Sequence, residues 1–252
     1  MGRRAREFGK TGIYHILFRG VNHCHLFEED ADFEKFLSAV KAVKAAMLFD
    51  LYAYALMSNH VHLLIREKST GDIAVVMRKV LTQYAGWFNR KYGRSGALIA
   101  NRYKSECVED ESYLLTLARY IHQNPVKAGA AGSPEAYRWS SYAGYLGGGD
   151  NLTDTDFVLS GISKDRESAI ADFAVFHGKL DELEYAPAEG KKKSEAMLHR
   201  EALGILGFEP NKAAGVQKAE RTAAIALLRA NGFSIRQVER LTGVPRSIVG
   251  RC

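Results

Sequence analysis

Leu51-Tyr52-Ala53-Tyr54-Ala55-Leu56-Met57-Ser58-Asn59-His60-Val61-His62-Leu63-Leu64-Ile65 holds two runs of strand-forming residues with only Ser58-Asn59-His60 between them. A connection that short predicts a tight antiparallel hairpin, with strands over 51–57 and 61–65. Upstream, Ile13-Tyr14-His15-Ile16-Leu17-Phe18 reads as a short strand. Asp30 is placed to cap a helix whose apolar residues Phe33, Phe36, Leu37, Val40 and Val43 recur at helical spacing. Downstream, a second helix is expected over 72–92, ending before Gly93, then a short strand over 106–108. A third helix, capped by Asp110 or Ser112, is expected to stop near Pro125. The order β-α-β-β-α-β with a following helix predicts an α+β fold: a ferredoxin-like antiparallel sheet backed by helices.

After Tyr145 the character changes. Gly147-Gly148-Gly149 breaks the chain, and 157–176 reads as a helical appendage. The expected organisation is a first domain over 1–146, a helical extension over 150–185, a linker over 186–195 containing Lys191-Lys192-Lys193, and a small all-α unit over 196–252. In that last unit Ser234 is placed to cap a helix carrying Ile235, Val238 and Leu241, Thr242-Gly243-Val244 forms a turn, and Pro245 opens a second, short helix. This is a helix-turn-helix-like pattern that leaves Arg246, Ser247 and Arg251 to face a DNA groove.

The 252 residues are 46% hydrophobic and 25% charged, ordinary globular composition with a net charge of +6. The excess is uneven. Residues 78–104 hold seven cations and no carboxylate, and 212–251 hold eight cations against Glu220 and Glu239. Two basic segments point to an anionic polymer as partner. Cys24, Cys107 and Cys252 are odd in number and far apart, which excludes a disulfide framework and a cysteine-based zinc motif. No apolar run follows the basic residues at the start, and none is long enough for a membrane span, so a cytoplasmic protein is expected.

Two local patterns carry chemistry. Side chains alternate across a strand, so His60 and His62 point to one face while Val61 enters the core. Two imidazoles so placed can ligate one divalent cation. On the third helix Tyr120 and Asn124 are four residues apart and share a face. The first offers a phenolic nucleophile, the second a carbonyl oxygen suited to a hard cation. Alone, each pattern reads more simply as structure: histidines at a strand edge, and a tyrosine near a helix end.

Together they resemble a family. The stretches 55–64 (Ala-Leu-Met-Ser-Asn-His-Val-His-Leu-Leu) and 117–129 (Leu-Ala-Arg-Tyr-Ile-His-Gln-Asn-Pro-Val-Lys-Ala-Gly), in that order, resemble the single-tyrosine His-hydrophobe-His transposases, and within them the REP-associated branch. Supporting stretches are 14–20, 84–93, 101–105 and 137–142. The resemblance implies a nuclease core in which His60, His62 and Asn124 hold Mg2+ or Mn2+ and Tyr120 attacks a scissile phosphate. The implied product is a 5′-phosphotyrosine and a free 3′-hydroxyl. The implied substrate is single-stranded, hairpin-containing DNA, and the protein would act as a monomer or homodimer. Ser58 stands where the family carries proline in the turn. Arg90, Lys91, Arg94, Arg102 and Lys104 are the expected phosphate contacts. Tyr84, Trp87 and Phe88, at i, i+3 and i+4, are expected mostly in the core, and His122 is expected to be structural. The rival reading is a DNA-binding regulator that keeps the fold without cleavage.

Overall fold

The computed structural model describes residues 9–110, 113–148, 151–178, 195–231, 233 and 235–250. The chain divides into two units, Met1–Tyr185 and Ala186–Cys252. The first runs β1 (Ile13–Arg19), α1 (Asp30–Met47), β2 (Asp50–Met57), β3 (His60–Arg66), α2 (Asp72–Lys91), β4 (Lys104–Cys107) and α3 (Leu114–Lys127). The strands form one sheet in the order β2-β3-β1-β4, every neighbouring pair antiparallel. This is the α+β, ferredoxin-like plan expected from the sequence.

Strand alternation sorts the apolar residues onto two faces. Tyr14, Ile16 and Phe18 of β1 and Val61, Leu63 and Ile65 of β3 pack against α1 and α2. Ile13, Ala53, Ala55 and Leu64 meet α3, with Tyr142 and Tyr145 of α4 (Tyr142–Tyr145), α5 (Thr155–Ser160) and Phe173 of α6 (Arg166–Gly178). The sheet is therefore covered on both faces. The expected helical appendage is two helices, α5 and α6.

The element ends correct four expectations. Glu29, not Asp30, is the N-cap of α1, in a reciprocal capping box with Asp32. The buried Asp32 carboxylate accepts the N–H groups of Glu28 and Glu29 and the Tyr92 hydroxyl, and pairs with Lys91, tying the start of α1 to the end of α2. Tyr113 is the N-cap position of α3, its N–H donating to the Asp110 carbonyl; Ser112 lies outside the described residues. Pro125 does not stop α3, which runs on to Lys127. The stop is Gly129, at φ +70°: Gly129 N–H donates to Val126 O and Ala130 N–H to Pro125 O, a Schellman motif. Finally, β4 begins at Lys104, two residues earlier than the sequence reading.

The second unit holds α7 (Glu195–Leu206), a 3-10 turn (Pro210–Ala214), α8 (Lys218–Ala230), α9 (Ile235–Thr242) and α10 (Arg246–Val249). Leu198, Ile225, Leu228, Phe233, Val238, Leu241, Val244 and Val249 form its core. Between α9 and α10 the Thr242 hydroxyl donates to Val238 O and accepts from Val244 N–H, Gly243 turns at φ +72°, and Pro245 is the N-cap of α10. The expected Ser234 cap, Arg251, Gly149 and residues 186–194 of the expected linker lie outside the described residues. Among the described residues no helix is long and apolar enough to cross a membrane.

Candidate active site

The sheet face that meets α3 carries the site, and the strand register builds it row by row. Arg19 of β1 lies opposite His60 of β3. In the next row Lys104, Leu17, His62 and Ala55 lie side by side across β4, β1, β3 and β2. The row after that runs Glu106, His15, Leu64 and Ala53. Pleating sends the even-numbered residues of β3 and β4 and the odd-numbered residues of β1 to this same face.

His60 and His62 stand with ring centroids 5.2 Å apart, nearly perpendicular. The Nδ1 of each is engaged: His60 with Asn59 Oδ1 at 2.7 Å, His62 with His15 Nε2 at 2.9 Å. Nε2 is the remaining nitrogen on both rings. Burial, with the Arg19 charge beside it, lowers the pKa of His60 to about 4. Burial, reinforced by His15, His60 and Arg19, holds His62 well below the ordinary imidazole range. Both rings are thus neutral at physiological pH, as ligation requires.

The half-buried Tyr120 ring is presented to these imidazoles by α3, at 5.7 Å from His62 and 6.1 Å from His15, edge-on to both. The Lys127 ammonium lies 5.7 Å from the Tyr120 ring centre. One turn beyond Tyr120, Asn124 Nδ2 donates to the Tyr120 carbonyl at 3.1 Å. Its Oδ1 is then the end suited to a cation. Two imidazole nitrogens and an amide oxygen fit a hard or borderline divalent ion. Among the described residues no three His, Cys, Asp or Glu side chains come together as a rival metal set.

His122 is structural, as expected: fully buried, with Nε2 2.7 Å from the Ser141 hydroxyl. Tyr84 and Phe88 are buried and Trp87 partly so, again as expected. The cations divide. Lys104 lies on the histidine face and Arg102 is exposed just before it. Arg90, Lys91 and Arg94 belong to α2 and the turn after it, the layer on the other side of the sheet. Lys91 is committed to Glu29 and Asp32, which removes it as a phosphate contact. Arg246 is paired with Glu239 rather than left free.

Three residues of the site escaped the sequence reading: His15, Glu106 and Arg19. His15 is buried against His62, and its Nδ1 is 3.7 Å from Glu106. Arg19 is exposed beside His60. The available signal was the alternation His15-Ile16-Leu17-Phe18-Arg19, which puts a histidine and an arginine on one strand face.

Residues 10–124 match the family model of IS200-like transposases, a span that ends at Asn124. No curated protein matches the chain. Among solved structures, a REP-associated tyrosine transposase bound to a REP hairpin is 18% identical, with a TM-score of 0.50 over 60% of this chain and 88% of that one. A candidate transposase from Deinococcus radiodurans R1 is also 18% identical, with a TM-score of 0.33 over 49% of this chain and 95% of that one. The first of these likenesses supports the fold. Residues 10–124, which hold both histidines, the tyrosine and the asparagine, are thus the part of the chain that is similar to IS200-like transposases.

Proposed function

We propose that the protein is a metal-dependent endonuclease and strand transferase acting on single-stranded, hairpin-containing DNA through Tyr120, as in the REP-associated branch. The observation that carries this reading is the Tyr120 ring held edge-on to His62 at 5.7 Å, on the sheet face where His60 and His62 stand together. His60 and His62, through their Nε2 atoms, and Asn124, through Oδ1, would hold Mg2+ or Mn2+. The bound cation would supply Lewis-acid stabilisation of charge developing on a phosphate oxygen. Tyr120 attacks the phosphorus in line and gives up its hydroxyl proton to solvent, the bond from phosphorus to the 3′ oxygen breaks, and that oxygen takes up a proton from solvent, giving a 5′-phosphotyrosine and a free 3′-hydroxyl. Rejoining reverses these bonds, so no nucleotide cofactor is consumed.

Around that centre Arg19, Lys104 and Arg102 would hold the phosphates nearest the scissile bond, and Arg90 and Arg94 the flanking strand. The second unit, through its cations, would add affinity for DNA, with the protein working in the cytoplasm. Tyr120→Phe removes only a hydroxyl. Incubated with a library of single-stranded hairpins and Mn2+, this variant should give no covalent protein–DNA adduct while binding DNA as the wild type does. Adducts at the wild-type rate would place the nucleophile elsewhere.

A further inference from the structure

We propose that Glu106 and His15 fix His62 in the one tautomer able to ligate a cation, His15 acting as a positioning residue and Glu106 as the charge that orients it. The inference rests on the metal-site reading above. A neutral imidazole has one N–H and one lone pair. His62 Nδ1 and His15 Nε2 are 2.9 Å apart, so one donates and the other accepts. The direction follows from the third member. Glu106 Oε2 lies 3.7 Å from His15 Nδ1, too far for a good hydrogen bond, yet close enough for its negative charge to favour the single N–H of a neutral His15 at that nitrogen. His15 Nε2 then keeps its lone pair and accepts. His62 must donate from Nδ1, which leaves the lone pair on His62 Nε2, the nitrogen the cation needs. A free neutral imidazole prefers the opposite arrangement, with its proton on Nε2.

The sheet makes the arrangement rigid. Glu106 and His15 are register partners across β4 and β1, and His62 sits diagonally on β3. The two imidazole planes are within 8° of each other with ring centroids 5.1 Å apart, the edge-to-edge arrangement an in-plane hydrogen bond needs, and the residues are 3% and 2% exposed. Little water reaches the His62 Nδ1 position to offer a competing partner. Carboxylate–imidazole pairs behind a ligating histidine set both ring orientation and metal affinity.

The test uses full-length protein with 15N-labelled histidines. Long-range 1H–15N correlation on the metal-free protein should show His62 protonated at Nδ1. Mn2+ binding, measured by electron paramagnetic resonance without DNA, should weaken roughly 10–100-fold in His15→Phe, the range typical of losing such a partner. Glu106→Gln should weaken it less and leave His62 in both tautomers, because an amide donates as readily as it accepts. His62 protonated at Nε2 in the wild type would overturn the proposal, as would wild-type Mn2+ affinity in both variants. A wild type that binds no Mn2+ overturns the metal reading itself, and the relay with it. If His15→Phe fails to fold, the wild-type spectrum and Glu106→Gln, at an edge strand, decide between the outcomes.

Discussion

Acidification to pH 5 should destabilise the first unit by several kcal/mol, through its buried histidines rather than its carboxylates. Burial lowers His177 to about 3 and His60 to about 4, and holds His62 and His122 well below the ordinary imidazole value of 6.5. Each stays neutral in the folded state at pH 5, while in the unfolded chain each takes up a proton below about 6.5. The unfolded chain therefore binds more protons, and stability present above pH 6.5 is lost as the pH falls. Between pH 7 and pH 5 the loss is about 2 kcal/mol for each of His60 and His177, and His62 and His122 add to it in the same direction. That is a large part of a whole domain's stability of about 5–15 kcal/mol. Hydrogen bonds and charge lower the Asp32 pKa despite its burial, but a depressed carboxylate loses its contribution only below 3.8, outside this window. Urea unfolding in chelator at pH 7, 6 and 5 measures the effect, with Trp87 and Trp139, both in the first unit, as reporters. His177→Phe isolates one group. His177 sits in an aromatic cage, its ring 3.7 Å from that of Phe173 and 5.1 Å from that of His122. The variant shifts stability at every pH, but its loss between pH 7 and 5 should be smaller by about 2 kcal/mol. The same loss in variant and wild type would refute the reasoning.

Two further outcomes follow from the placement of charge. Arg19→Gln, at an exposed position facing His60, should slow single-turnover cleavage by roughly 10–100-fold while leaving the fold and Mn2+ affinity nearly unchanged, because a preorganised donor beside the reacting phosphate is removed; a wild-type rate at saturating DNA would remove Arg19 from the site. Deleting 197–252 removes a segment with eight cations against two carboxylates over 212–251, so the salt dependence of DNA affinity should become shallower by roughly 0.7–0.9 for each phosphate no longer neutralised, with cleavage at saturating DNA retained. Salt-titrated binding decides this: an unchanged slope would show that the second unit does not touch DNA.

The sequence alone was enough for whatever is local. Alternation put His60 and His62 on one strand face, and helical spacing put Tyr120 and Asn124 on one helix face, because each periodicity is complete within a few residues. The hairpin and the order of elements were legible for the same reason, and with them the α+β plan. The tertiary structure decided what depends on partners distant in the chain. His15 is 47 positions from His62, and only the antiparallel register of β1 against β3 brings them to 2.9 Å. Glu106 and Arg19 join the site through the same rows. The fates of Lys91, held by Glu29 and Asp32, and of Arg246, held by Glu239, were equally hidden, since a cation in sequence carries no sign of the carboxylate that will neutralise it. The end of α3 turned on geometry as well. The Gly129 N–H and Ala130 N–H could close on carbonyls of the last turn, so the helix ran through Pro125 and stopped where glycine tolerates a positive φ.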